Sequence, residues 1–98
     1  MQRTILIAED DPDIVNLLCL YLKNSGYQVL TAPDGLEAWR LFGQEHVDLA
    51  LLDVMMPRMD GWELARKIRE VSNIPILFLS ARDQDYDRIL GLQLGADD

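Results

Sequence analysis

The chain has 98 residues, of which 49% are hydrophobic and 27% are charged, and this composition is typical of a single globular domain. Nine basic residues against 17 acidic ones give a net charge of -8, which argues against direct binding to a nucleic-acid backbone or an anionic membrane. The single cysteine, Cys19, excludes an internal disulfide, and the apolar amino-terminal stretch is too short for a signal peptide or a membrane span. We therefore expect a cytoplasmic protein without a membrane segment.

Apolar runs alternate with amphipathic stretches along the first part of the chain, which predicts alternating strands and helices. A continuous apolar run predicts a first strand over Thr4 to Ala8, buried on both faces. A helix is predicted to begin at Pro12 after an Asp11 cap and to end at Asn24-Ser25-Gly26. Its predicted inner face consists of apolar residues three and four positions apart: Ile14, Leu17, Leu18, Tyr21 and Leu22.

The same alternation continues to the end of the chain. Further strands are predicted over Tyr27 to Ala32, Leu49 to Leu52 and Pro75 to Leu79, with a helix after each. The third helix is predicted from about Asp60 to Val71. The residues predicted to face inward from these helices are Ala38, Leu41 and Phe42; Leu64, Ala65 and Ile68; and Ile89, Leu90 and Leu94. Four βα units joined by right-handed crossovers predict an α/β fold, a doubly wound parallel sheet with helices on both faces.

Acidic and hydroxyl residues stand where the predicted strands end. Glu9, Asp10 and Asp11 follow the first strand, Asp53 ends the third and Ser80 follows the fourth. Ligands of such sheets bind beyond the carboxyl ends of the strands, so we expect these side chains at one edge. Carboxylates a few ångströms apart repel one another, and Mg2+ is the simplest cation to neutralise them in a pocket without histidine or cysteine. Asp11 is better explained as a helix cap.

Asp53 ends a strand that is predicted to lie inside the sheet, and a carboxylate in that place is able to act as a nucleophile toward phosphoryl groups. Ser80 ends the neighbouring strand and is able to donate a hydrogen bond to a phosphoryl oxygen. The edge is therefore predicted to be a phosphoryl-acceptor site. His46 is predicted at the opposite end of the sheet and without a role, and Trp39 and Trp62 are predicted to be packing residues.

Four motifs occur in order along the whole chain: Ile-Leu-Ile-Ala-Glu9-Asp10-Asp11, Leu-Leu-Asp53-Val-Met-Met-Pro57-Arg-Met-Asp60-Gly61, Leu-Ser80-Ala81-Arg82 and Gly95-Ala96-Asp97-Asp98. Together they resemble the receiver domain of bacterial two-component response regulators. The Met-Met-Pro and Gly-Ala-Asp-Asp motifs most resemble the subfamily that carries winged-helix DNA-binding domains. The resemblance implies a flavodoxin-like fold with strand order 2-1-3-4-5, of which the first four βα units are present here.

The resemblance also implies a role for each site residue. Asp53 is expected to accept a phosphoryl group from a sensor histidine kinase. Mg2+ is expected to bind Asp10, Asp53 and the backbone carbonyl of Met55, with Glu9 acting through water. Ser80 is expected to be the hydroxyl that turns toward the phosphoryl group. These roles describe a signalling module that catalyses its own phosphorylation and dephosphorylation, rather than an enzyme that turns over a substrate.

The family pattern extends further than this chain. A fifth strand, a lysine that contacts the acceptor carboxylate, and a last helix have no counterpart in residues 1–98. We therefore interpret residues 1–98 as one receiver domain from a longer protein. Contact with DNA is expected only through an output domain outside this chain, and a homodimer is left open.

Two other functions remain open. A magnesium-dependent phosphatase with an aspartate nucleophile would use the same chemistry, but the second acid expected two residues after Asp53 is replaced by Met55. A receiver that binds partners without being phosphorylated is the other alternative. A flavin or nucleotide binder on the same sheet is disfavoured, because the adjacent carboxylates of Glu9 to Asp11 would repel phosphate.

Overall fold

The computed structural model describes residues 2–79 of the chain. This part contains four strands and three helices in alternation: β1 (Thr4–Ala8), α1 (Pro12–Asn24), β2 (Gln28–Ala32), α2 (Gly35–Gln44), β3 (Leu49–Asp53), α3 (Gly61–Val71) and β4 (Ile76–Leu79). The predicted sequence of elements is confirmed over these residues. Ser80 and the predicted fourth helix lie outside the described residues. Among residues 2–79, none of the helices combines the length and the apolar character needed to cross a membrane.

The four strands form one parallel sheet with the order β2-β1-β3-β4. This order agrees with a doubly wound, flavodoxin-like fold. The register pairs Ala8 of β1 with Ala32 of β2 on one side and with Leu52 of β3 on the other. The carboxyl ends of these strands are therefore level at one edge of the sheet.

The sheet separates two apolar clusters, because successive side chains of a strand point to opposite faces. Leu6 and Ala8 belong to a cluster that includes the inner faces of α2 and α3. Ile5 and Ile7 belong to a second cluster, against which α1 packs. All five residues of β1 are buried, so the prediction of a strand covered on both faces is confirmed.

The predicted inner face of α1 is wrong in two positions. Leu17 and Tyr21 are 67% and 68% exposed, whereas Leu18, Cys19 and Leu22 pack against the sheet. Every residue from 17 to 22 is apolar or aromatic, so the three- and four-residue spacing fits more than one face of this helix. The contacting face is therefore set by the sheet rather than by the periodicity of the helix.

All three helices of the described region begin at the carboxyl edge of the sheet, and each has an aspartate as its N-cap: Asp11, Asp34 and Asp60. Each cap carboxylate accepts a hydrogen bond of 2.8 to 2.9 Å from a backbone N–H in the first turn of its helix. The capping interactions satisfy N–H groups that the helix itself leaves without partners. The starts of the helices are thereby fixed close to the strand ends.

Two glycines allow helices to approach the loop after β3. A methyl group on Gly61 would collide with the backbone carbonyl oxygen of Asp53, and one on Gly35 would collide with the backbone carbonyl oxygen of Met59. The Gly61 N–H also donates a 2.9 Å hydrogen bond to the carbonyl of Val54. The absence of a side chain at these two positions lets the first turns of α2 and α3 contact the backbone directly.

Replacing Gly61 by alanine is expected to destabilise the protein by roughly 1 to 3 kcal/mol, because the added methyl group forces the Asp53 backbone to move. The melting temperature measured by circular dichroism should fall accordingly. Gly43→Ala is the matched control, since Gly43 lies in α2 with nothing within 4 Å of an added methyl group. It should raise stability by about 0.5 to 1 kcal/mol through helix propensity. Equal melting temperatures for Gly61→Ala and the parent would contradict the close contact.

At the opposite edge of the sheet, Asp48 connects the start of β3 to the start of β1. Its carboxylate accepts a 2.8 Å hydrogen bond from the backbone N–H of Thr4 and lies 2.9 Å from Nε2 of His46. The Thr4 hydrogen bond, followed by the contact with His46, lowers the pKa of Asp48 from its ordinary value. His46 is 83% exposed and precedes β3, at the end of the sheet away from Asp53.

Because the pKa of Asp48 is lowered in the folded protein, its charge stabilises the fold above the ordinary pKa of the group. The stabilisation is lost as the pH falls through the lowered value. Asp48→Asn keeps an acceptor for Thr4 but removes the charge, so it should be less stable than the parent at neutral pH. Urea unfolding followed as a function of pH should show this difference narrowing below about pH 4. A difference that is independent of pH would contradict the role of the charge.

Candidate functional site

The register of the sheet places two acidic residues side by side. Ala8 pairs with Leu52, and the next residues along the two strands are Glu9 and Asp53. The Glu9 N–H donates a 3.0 Å hydrogen bond to the carbonyl of Ala32, so the β1 ladder continues through Glu9. Neighbouring strands are about 4.8 Å apart, which brings both carboxylates to the same edge of the sheet.

Glu9, Asp10 and Asp53 form a carboxylate cluster, in which one oxygen from each side chain lies within 4.8 Å of the others. Glu9 and Asp53 are buried, at 3% and 5% exposure, and Asp10 is exposed. The cluster therefore has a buried base and an open side that solvent reaches through Asp10. This edge is accessible to an incoming ligand.

The loop after β1 orients the Glu9 carboxylate. Oε2 of Glu9 accepts a 3.1 Å hydrogen bond from the backbone N–H of Asp11. The Asp11 carboxylate itself accepts a hydrogen bond from the N–H of Asp13. Asp11 thus acts as the N-cap of α1, as the sequence indicates, and is outside the carboxylate cluster.

The loop between β3 and α3, residues 54–60, forms one wall beside the cluster. Val54, Met55 and Met56 line an open cleft together with Asp10 and Trp62. The Met55 side chain is 67% exposed. The sequence-based hypothesis involves only the backbone carbonyl of Met55, as a ligand of Mg2+. Met55 follows Asp53 by two residues and lies in this wall of the cleft.

A γ-turn lies in the middle of this loop. The N–H of Met59 donates a 2.8 Å hydrogen bond to the carbonyl of Pro57, and the intervening Arg58 has a φ of 73°. A positive φ is uncommon for a residue with a side chain, and turns of this kind are strained. The Met59 side chain is only 7% exposed and packs in the cluster beneath α2 and α3, which anchors the turn.

The prediction that Trp62 is a packing residue is confirmed only in part. Its ring contacts Phe78, with centroids 4.3 Å apart, but the residue is 59% exposed and lines the cleft beside Asp10. Trp62 is the second residue of α3, so its large ring extends from the sheet to solvent. Trp39 does pack against the core, where it stacks on Phe42 at 5.9 Å.

The cluster suits a hard divalent cation. Its donors are carboxylate oxygens, the type that Mg2+ prefers, and no histidine or cysteine takes part in it. Three like charges this close repel one another, so a cation that neutralises them stabilises the arrangement. Mg2+ usually keeps several waters and accepts phosphate oxygens, which the exposed side at Asp10 permits. The residues of the cluster therefore fit Mg2+.

Of the residues predicted for the site, the structure brings together Glu9, Asp10 and Asp53, and it places Met55 in the adjoining wall. Ser80 lies outside the described residues. Sequence reasoning missed Trp62 as a cleft residue. It also missed the γ-turn at Arg58, for which the sequence offers only a proline one residue earlier.

Comparison with known proteins agrees with this geometry. Residues 5–98 match the family model of the response regulator receiver domain. Response regulator GtcR of Aneurinibacillus migulanus is 47% identical over 98 residues, covering 100% of this chain and 40% of GtcR. The probable transcriptional regulator ycf27 of Galdieria sulphuraria is 52% identical over 97 residues, covering 99% of this chain and 38% of that protein. The chain therefore spans about 40% of the length of these curated relatives.

Solved structures give the same result. The BeF3-activated receiver domain of Klebsiella pneumoniae RstA has a TM-score of 0.80 and 38% identity, covering 98% of this chain and 82% of that one. Response regulator TrrA of Thermotoga maritima, solved in complex with Mg2+ and beryllium fluoride, has a TM-score of 0.80 and 34% identity, covering 98% of this chain and 83% of that one. Because the family model matches residues 5–98 of the chain, the chain belongs to the response regulator receiver domain family.

Proposed function

We propose that this receiver domain is switched by phosphorylation, with Asp53 as the residue that accepts a phosphoryl group from a sensor histidine kinase. The observation that carries the proposal is the position of Asp53 at the end of β3. Asp53 is buried there and belongs to the carboxylate cluster with Glu9 and Asp10. A carboxylate in this position is held in one place and is approached from the open side of the cluster. These are the properties that a phosphoryl acceptor needs.

In the proposed reaction, a carboxylate oxygen of Asp53 forms a bond to phosphorus as the phosphorus–nitrogen bond of a kinase phosphohistidine breaks. The imidazole leaves with the electron pair of that bond, and Asp53 becomes an acyl phosphate. Attack by water on phosphorus later releases inorganic phosphate and restores the carboxylate. The chain serves as its own substrate in both steps, which makes it a signalling module rather than an enzyme with turnover.

Mg2+ bound here would neutralise the clustered carboxylates and screen the negative charge of the incoming phosphoryl group. In the proposal Asp10, Asp53 and the Met55 carbonyl would hold the ion, and Glu9 would act through water. The hydrogen bond from the Asp11 N–H orients the Glu9 carboxylate. The complex of TrrA with Mg2+ and beryllium fluoride supports this part of the proposal.

The consequence of phosphorylation is proposed to lie in another part of the protein. The chain spans about 41% of the Bacillus subtilis protein that is named alkaline phosphatase synthesis transcriptional regulatory protein PhoP. By analogy, we assign this chain the control of a DNA-binding output domain in a cytoplasmic regulator. The net charge of -8 agrees with this division, because the receiver itself is unsuited to binding DNA.

Mg2+ is expected to bind in the millimolar range, as at other partly hydrated sites, and to change the fluorescence of Trp62 beside the cleft. Asp10→Asn should weaken binding by about tenfold or more through the loss of a charged ligand. Asp13→Asn is the matched control: it removes the same charge from an exposed residue in the first turn of α1, outside the cluster. It should leave the titration nearly unchanged, and equal weakening by both variants would contradict direct binding by Asp10.

Asp53 is expected to be the only residue that carries an acid-labile phosphate after exposure of the protein to Mg2+ and a small phosphodonor such as acetyl phosphate. Mass spectrometry under mild conditions should locate the label. Asp53→Asn should abolish it, whereas Asp48→Asn, a carboxylate change at the opposite edge, should retain it.

Phosphate that persists in Asp53→Asn at the parental level would remove Asp53 from the mechanism, and phosphate on His46 would indicate a different class of protein. Repeated turnover of a phosphate ester that depends on Asp53 would favour the phosphatase alternative. A parent protein that carries no label would favour a receiver that acts without phosphorylation.

A further inference from the structure

The γ-turn at Arg58 requires support from its surroundings. A residue with a side chain adopts a φ of 73° only at a cost in free energy, and such conformations persist where neighbouring groups hold them. The turn lies in the same loop as Met55, whose carbonyl is proposed to bind Mg2+. Whatever holds the turn therefore affects the position of that carbonyl.

Asp34 provides a charged contact to this turn. Oδ2 of Asp34 lies 3.8 Å from Nε of Arg58, and Oδ1 accepts a 2.8 Å hydrogen bond from the N–H of Glu37 in α2. The Asp34 side chain is only 16% exposed, whereas that of Arg58 is 62% exposed. The carboxylate is thus fixed by the start of α2 and presents its second oxygen to the loop.

The residue after Arg58 contacts the same end of α2. The backbone carbonyl of Met59 lies so close to Gly35 that a side chain there would collide with it. The buried Met59 side chain lies in the cluster that includes α2 residues. Besides the packing of Met59, the turn therefore makes two contacts with the first residues of α2: an ion pair at Arg58 and a backbone contact at Met59.

We infer that Asp34 and Arg58 are positioning residues for the divalent cation, because their ion pair holds the γ-turn against α2 and so fixes the loop that carries the Met55 carbonyl. The inference rests on the proposed function. Neither residue belongs to the carboxylate cluster, and the pair acts through the backbone of residues 55–58.

The sign of the change in Mg2+ affinity distinguishes a simple effect of charge from a positioning effect. If only long-range electrostatics mattered, neutralising Asp34 would weaken Mg2+ binding and neutralising Arg58 would strengthen it. If the pair positions the loop, neutralising either residue weakens binding. The double variant should then bind no more weakly than the weaker single variant, since the same contact is lost in all three.

The experiment is a Mg2+ titration of Asp34→Asn, Arg58→Gln and the double variant, followed by Trp62 fluorescence and by the rise of the melting temperature with Mg2+. Asparagine keeps the cap acceptor for α2. Each single variant should bind about fivefold more weakly, below the roughly 10- to 100-fold cost of losing a hydrogen-bonded outer partner, because the 3.8 Å contact is longer. The melting temperature of each variant without Mg2+ should be nearly that of the parent. Arg58→Lys should bind Mg2+ more tightly than Arg58→Gln, because it keeps the positive charge.

Arg66 and Glu70 provide the matched control, since they form an exposed ion pair of similar length, 3.7 Å, on α3. Arg66→Gln and Glu70→Gln should leave Mg2+ affinity unchanged. The inference would be overturned by parental Mg2+ affinity in both Asp34→Asn and Arg58→Gln, or by tighter binding in Arg58→Gln. The proposed metal site would still stand in that case if Asp10→Asn weakened binding. A parent protein that does not bind Mg2+ would overturn the proposed metal site, and the inference with it.

Discussion

The parallel register between β1 and β3 is the constraint on which the site depends. Pairing of Ala8 with Leu52 makes Glu9 and Asp53 the next residues on adjacent strands. A slip of one residue would turn an acidic side chain to the opposite face of the sheet and would bury it among apolar groups. Because β1 is buried on both faces, such a slip is costly, and the apolar core thereby determines where the charges meet.

The backbone of the site is confined by the helices that follow it. Gly61 brings α3 against the Asp53 carbonyl, and Gly35 brings α2 against the Met59 carbonyl. Between these contacts, the loop after β3 makes the γ-turn at Arg58. The carboxylates thus lie beside a backbone that main-chain contacts confine. This role accounts for the proline and the buried methionine between β3 and α3 and for the glycine at the first position of α3.

Much of this arrangement is predictable from local sequence, and the remainder depends on contacts between distant segments. The continuous apolar run at Thr4 to Ala8 predicts a buried strand, and an aspartate at the end of another such run predicts an acidic edge. The inner face of α1 is not predictable in this way, because an unbroken apolar stretch has no single periodic face. Arg58 carries no local signal for a positive φ, because that conformation is ordinarily adopted by glycine.

Asp53 lies between the layer of α1 on one face of the sheet and the layer of α2 and α3 on the other. By the alternation of β3, its side chain lies on the same face as Leu51, in the layer of α1, while its carbonyl touches Gly61 at the start of α3. In evolutionary terms, changes at the starts of α1 and α3 both reach the carboxylate cluster: the first through the Asp11 N–H that orients Glu9, and the second through Gly61 and the Asp53 carbonyl. The sequences that follow β1 and β3 therefore act on one cluster even though they are far apart in the chain.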